Sequence, residues 1–126
     1  MKALRAAILV LVLLMAASLV NSAYLTARCG HWTAQLDTVT AAASGGDWDT
    51  AAREMAALRA DWQKKQSYLH ITLMHEEINE TDTRLHQCAL YVREQDNDAL
   101  SDAAVQLALE FDRLAELEQL SIKNVL

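Results

Sequence analysis

Residues 25–48 read LTARCGHWTAQLDTVTAAASGGDW, and the fold follows from how that stretch is built. Leu25, Cys29, Trp32, Leu36, Val39 and Ala43 recur at spacings of 4, 3, 4, 3 and 4. That rhythm sets them in one line along an α-helix, the seam by which a helix packs into a bundle. Gly30 lies inside the pattern without interrupting it. Gly45-Gly46, by contrast, follows Ser44 and precedes Asp47, a helix stop set against a helix start. A tight hairpin is expected there.

Downstream the figure repeats. Trp48, Ala51, Met55, Leu58 and Trp62 fall at spacings of 3, 4, 3 and 4, and Ile71, Met74, Ile78, Thr81, Leu85, Cys88 and Val92 continue it with Thr81 as the one polar member. A last segment, opened by Asn97 or Asp98 as N-cap, aligns Leu100, Ala103 or Ala104, Leu107, Phe111, Leu114 and Leu117 on one side. Between the second and third segments Lys64-Lys65-Gln66-Ser67 offers neither Gly nor Pro, so geometry supplies the break. One helix over residues 48 to 94 would span roughly 70 Å, against about 30 Å for the first helix outside the apolar start. The chain is therefore expected to bend near Ser67. With no Pro and three Gly in 126 residues, the reading is an all-α, antiparallel up-down four-helix bundle.

Upstream the seam runs into a different kind of surface. From Ala6 to Ala27 there are 22 positions without a charge, dense in Leu, Val, Ile and Ala, with Lys2 and Arg5 in front. A helix of that length covers the ~30 Å hydrocarbon core of a bilayer, and the basic flank predicts a cytoplasmic amino terminus. The division is residues 1–24 as signal-anchor transmembrane helix and 25–126 as extracytoplasmic bundle. A cleaved signal peptide reads the same features, with loose sites at Ala16-Ala17-Ser18 and at Val20-Asn21-Ser22 before Ala23. In that case the bundle would be secreted and soluble. The helical pattern running on through Tyr24 and Leu25 argues for retention. Arg28 directly before Cys29 spoils a lipobox.

All 17 acidic residues lie beyond Arg28, against nine basic ones counting Arg28, so the outer part carries about −8 where the whole chain carries −6. Such a field repels nucleic acid and anionic lipid headgroups. Nucleic acid is excluded as a partner, and membrane lipid is expected to be met through the N-terminal helix alone. About 100 residues suffice for one small domain but not for a deep cleft.

The residues that could carry chemistry have plainer readings. Cys29 and Cys88 both sit on seams, but in the up-down arrangement their heights differ by far more than the ~7 Å that a disulfide bridges, so both are expected as small buried side chains. His75-Glu76-Glu77-Ile78-Asn79 starts like a zincin helix, yet the second His that would hold the metal is replaced by Asn79. A stripe of His75, Asn79, Asp82 and His86 at spacings of 4, 3 and 4 could hold a divalent cation with help from another helix. It reads more simply as a polar flank tying helices together. Glu76 and Glu80 are a solvated like-charge pair. Trp48 and Trp62, at opposite ends of one seam, could wall an apolar or cationic ligand, but as core anchors each would cost about 3–5 kcal/mol to truncate. No phosphate loop, nucleophile elbow or Cys-x-x-Cys occurs. The expectation is a protein without enzymatic activity, cofactor or resident metal.

Gly46-Asp47-Trp48 followed by Trp62, then His75, Glu77 and Ile78, and a terminal Asn124-Val125-Leu126 together resemble domain-of-unknown-function family 4363 over nearly the whole chain. Its members have an N-terminal membrane helix, a Trp after a Gly-rich turn, a second Trp about 14 positions on, a His-x-Glu-Ile-Asp run and an Asn-Ile-Leu end. Asn79 here replaces the Asp, removing a carboxylate from the cluster best placed to bind a metal. The resemblance implies an envelope protein of Gram-positive, often spore-forming bacteria, working beside a larger membrane protein, and implies no reaction.

The function expected is accordingly that of a single-pass membrane protein whose acidic bundle acts as an interaction or accessory module for another membrane or envelope protein. Leu120, Ile122, Val125 and Leu126 return to the membrane side, where they could touch such a partner. The alternative is a sensor-like bundle holding a cation or small molecule through His75, Asp82 and His86 or through the two Trp side chains.

Overall fold

The computed structural model describes residues 1–72 and 75–125, and the side chains within them except those of residues 68, 70–72, 75 and 121–125. The described residues form four helices: α1 Lys2–Ser44, α2 Trp48–Thr72, α3 His75–Glu94 and α4 Asn97–Val125. They pack antiparallel in a ring in which α1 and α3 each lie against both α2 and α4. The expected bundle is the observed one.

Its interior is the seam. Leu25, Cys29, Trp32, Leu36, Val39 and Ala43 from α1 are all buried. They meet Ala51, Met55, Leu58 and Trp62 from α2, Ile78, Thr81, Leu85, Cys88 and Val92 from α3, and Leu100, Ala103, Ala104, Leu107, Phe111 and Leu114 from α4. Thr81, the polar member, is fully buried and donates its hydroxyl proton to the Glu77 carbonyl at 2.9 Å, so its oxygen is satisfied within its own helix. Trp48 is only half-buried, packed against the core's edge.

Two hairpins close the same end of the bundle with one design. At the end of α1 the Gly46 amide donates to the Ala43 carbonyl and the Asp47 amide to Ala42, with Gly46 at φ 78°. At the end of α3 the Gln95 amide donates to Val92 and the Asp96 amide to Tyr91, with Gln95 at φ 56°. Both are Schellman closures, in which a left-handed residue lets the last carbonyls be satisfied. The next residue in each case caps the following helix. Asp47 accepts the Thr50 amide at 3.2 Å and Asp96 the Ala99 amide at 3.1 Å. The N-cap of α4 is thus Asp96, one residue before the predicted Asn97 or Asp98. Asn97 and Asp98 lie inside the helix, where Asp98 faces the positive end of the dipole.

The predicted bend near Ser67 is corrected. Lys64 to Ser67 lie inside α2, which runs on to Thr72. Lys, Gln and Ser are tolerated on a helix flank, and Leu69, seven residues after Trp62, is buried and extends the seam by two turns. α1 joins the bundle lower than Leu25, since Ser22 is already buried, and the bundle is therefore taller than the ~30 Å that a start at Leu25 would give. At the matching depth on α4 the buried residue is Glu118 rather than the predicted Leu117, which is half-buried. Asn21 of α1 donates to the Glu118 carboxylate at 3.0 Å, which compensates a charge placed where an apolar residue was expected. Ile71 and Met74 of the predicted seam lie outside the described side chains.

Below the bundle α1 continues without a break. Every large apolar side chain from Leu4 to Leu14 is more than half exposed, and Val20 is 70% exposed. By length and composition this helix can cross a membrane.

Candidate functional site

Halfway along the bundle the seams of α1, α2 and α4 each present an aromatic ring. Trp32 and Trp62 meet edge to face with centroids 5.2 Å apart and planes at 69°. Phe111 lies 5.5 Å from Trp32 and 6.4 Å from Trp62. The three are essentially unexposed, in geometries that aromatic quadrupoles favour. The two Trp residues singled out from the sequence do not form a shared wall: Trp62 packs against Trp32 and Phe111, while Trp48 sits at the hairpin end, 14 residues and roughly 21 Å away along α2.

The polar edge of this layer was not foreseen. Asp61 of α2 accepts a 2.6 Å hydrogen bond from the Trp32 indole and pairs with the Arg28 guanidinium. Arg28 in turn lies over the Trp32 ring at 5.9 Å. Burial alone would lift the Asp61 carboxyl, but the donors Trp32 and Arg28 and the charges of Arg28 and Lys65 outweigh it and hold it below its ordinary value. Trp62 is the counterpart. Its indole nitrogen is buried without a hydrogen-bond partner among the described residues.

Across the bundle a charged strip ties α3 to α4. Glu77 pairs with Arg113 at 3.1 Å, Arg84 reaches Glu80 at 2.9 Å and Glu110 at 3.9 Å, and Arg84 also donates to Gln106. Glu110 is 9% exposed. Its burial, and then the like charge of Glu77, push its carboxyl above the ordinary value despite Arg113 and Arg84. Glu77, part of the family pattern, therefore has a cross-helix structural partner, and Ile78 beside it is fully buried in the core.

The proposed cation stripe is not brought together by what is described. Asp82 and His86 are exposed on α3, and His86 Nδ1 lies 3.5 Å from the Arg59 guanidinium, a cation that would oppose a metal there. The His75 and Asn124 side chains lie outside the described residues. Among the described residues no three His, Cys, Asp or Glu side chains converge on one point. Cys29 and Cys88 are free and buried. Burial, then the charge of Asp112, pushes the Cys29 thiol up to about 12, and burial against the opposing charge of Arg84 pushes Cys88 up to about 11. Thiols so placed stay protonated and are poor nucleophiles.

The longest run of exposed apolar side chains among the described residues is on the lower half of α1, with Val105, Leu109 and Leu120 exposed singly on α4. A sleeve of large apolar side chains exposed on all sides exceeds what soluble proteins leave to water, and it is continuous with the helix whose upper half is buried in the bundle. These features define a class, the all-α proteins of four antiparallel helices led by one long apolar helix. Within it, residues 19–125 match the family described as "Domain of unknown function (DUF4363)", and the chain belongs to that family. No curated protein and no solved structure matches the chain.

Proposed function

We propose that this chain is a single-pass membrane protein whose acidic bundle stands on the outer face of the membrane and serves by contact, not catalysis, as an accessory to another membrane or envelope protein. The observation that carries the reading is the continuity of α1, one 43-residue helix that is apolar and exposed below Ser22 and packed into the core above it. A lipid environment suits the lower half, since beyond its first turn the backbone groups are bonded within the helix. Lys2 and Arg5 before the span favour a cytoplasmic amino terminus.

The joint between the halves opposes removal of the apolar segment at the second of the two cleavage sites. Cleavage after Ser22 would delete Asn21, the donor to the buried Glu118 carboxylate, and expose Leu25 at a frayed helix start. A charge left buried without its partner is costly. Contact is favoured over catalysis by the buried aromatic layer and the protonated thiols. The surface facing a partner includes Leu120 at the membrane end of α4, 53% exposed. Crosslinking in intact membranes, followed by identification of the attached protein, tests the reading. A discrete adduct with a second membrane or envelope protein, diminished when residues 121–126 are deleted, is the expected result. Monomer alone under every crosslinker, with the same outcome for the truncated chain, would sink the accessory role.

A further inference from the structure

A groove of about 850 Å³ opens between α1 and the lower part of α2. Its floor on α1 is Leu13, Ala16, Ala17 and Val20, and its upper rim is Asn21 and Tyr24. Lys64 and Lys65 of α2 overhang that rim, with Lys65 Nζ 5.9 Å from the centre of the Tyr24 ring. An apolar slot ending under two ammonium groups has the two halves of one kind of ligand.

Its height agrees. From Lys2 to Asn21 the helix rises roughly 28 Å, close to the ~30 Å hydrocarbon thickness of a bilayer. With Lys2 at the inner boundary, the Leu13–Val20 floor lies within the outer leaflet. Tyr24 and Lys65 then stand about one turn above the boundary, where lipid phosphates and interfacial aromatic rings reside. The lysines are available for the task. Among the described residues neither makes an ion pair, and Asp61, one turn before Lys65, is already held by Arg28 and Trp32. The acidic total of the outer part is an average, and Lys64-Lys65 is its one pair of adjacent cations.

We propose that this groove seats one anionic phospholipid of the outer leaflet, an acyl chain lying along Leu13, Ala16, Ala17 and Val20 and the phosphate held by Lys64 and Lys65. The site rests on the membrane-anchor reading, since only an anchored chain holds the groove at that depth. It also gives the bundle a second attachment to the bilayer, which fixes its rotation about α1 and so the face it offers to a partner.

The test uses the full chain reconstituted into nanodiscs of equal parts phosphatidylglycerol and phosphatidylcholine, released into the gas phase and weighed with its retained lipid. The expected result is one retained phosphatidylglycerol, preferred on the order of ten-fold over phosphatidylcholine, as two interfacial lysines would give. The preference should disappear in Lys64→Gln/Lys65→Gln and persist in Arg53→Gln, which removes a charge from the hairpin end of α2. Ala17→Trp, which fills the floor while keeping both lysines, should lower retention of either lipid; circular dichroism of each variant checks that the helices persist. Equal retention of the two lipids, or a preference that survives loss of both lysines, overturns the site while leaving the anchor standing. A chain that fails to enter nanodiscs of any composition overturns both.

Discussion

Replacing Trp32 and Trp62 separately by Phe should give unequal losses, although both indoles are buried in the same layer and both changes remove the same volume. Trp32 donates its N–H to a carboxylate at 2.6 Å, and a hydrogen bond to a charged group contributes about 1.5–3 kcal/mol. Because the Asp61 side chain is 24% exposed, water can replace part of that bond, and the lower end of the range applies. Trp62 has a buried N–H without a partner among the described residues, a penalty of about 1–3 kcal/mol that Phe relieves. The cavity terms cancel, so Trp32→Phe should be the worse change by about 2.5 kcal/mol, the sum of a bond lost in one and a penalty removed in the other. At roughly 4–8 °C per kcal/mol for a domain of this size, the Tm values should differ by about 10–20 °C. Thermal unfolding of the full chain in mild detergent, followed by far-ultraviolet circular dichroism at neutral pH, measures it. A Trp62→Phe variant that melts at or below Trp32→Phe would refute the assignment of Asp61 as the indole's partner and of Trp62 as the orphan.

Glu110→Gln should raise Tm at neutral pH, because a carboxyl held above its ordinary value by burial and by Glu77 destabilises the fold once ionised. The gain should shrink as pH falls through that raised value and vanish below the ordinary carboxylate value; a gain that grows in acid would reverse the sign. Gly46→Ala, at φ 78° with open space around the added carbon, should cost about 1–2 kcal/mol from backbone strain alone, whereas Gln95→Gly at φ 56° should cost nothing or stabilise by up to about 1 kcal/mol. Equal effects at the two hairpins in urea melts would contradict the shared closure. Cys29 and Cys88, with thiols near 12 and 11, should resist iodoacetamide in the folded chain and react together on unfolding. Fast labelling of either in native protein would show it is not buried.

The bundle was legible wherever the seam was uninterrupted. A 3-4 rhythm in α1 names its buried residues one by one, because helix packing reads the same period that the sequence displays. The end of α2 was not legible, since the seam position between Trp62 and Leu69 is taken by polar Lys65 and Gln66, and the place of Lys65 beside Tyr24 of α1 shows only in the packed structure. The same holds for Glu118. A carboxylate on a seam can be placed only when its donor, Asn21, 97 residues away in sequence, is known to lie at the same height. The Trp32–Asp61 bond also needed the register of α1 against α2, which the hairpin length sets but the residues do not announce. The apolar start was readable from composition, while its groove under Lys64 and Lys65 needed the longer α2.

Both the accessory role and the lipid site require α1 to be kept whole in the membrane. Mass spectrometry of the amino terminus of the protein extracted from the membrane fraction tests this directly: a chain still carrying Lys2 to Asn21 is predicted. A chain that begins at Leu19 or Ala23 and is recovered free of membrane would contradict it.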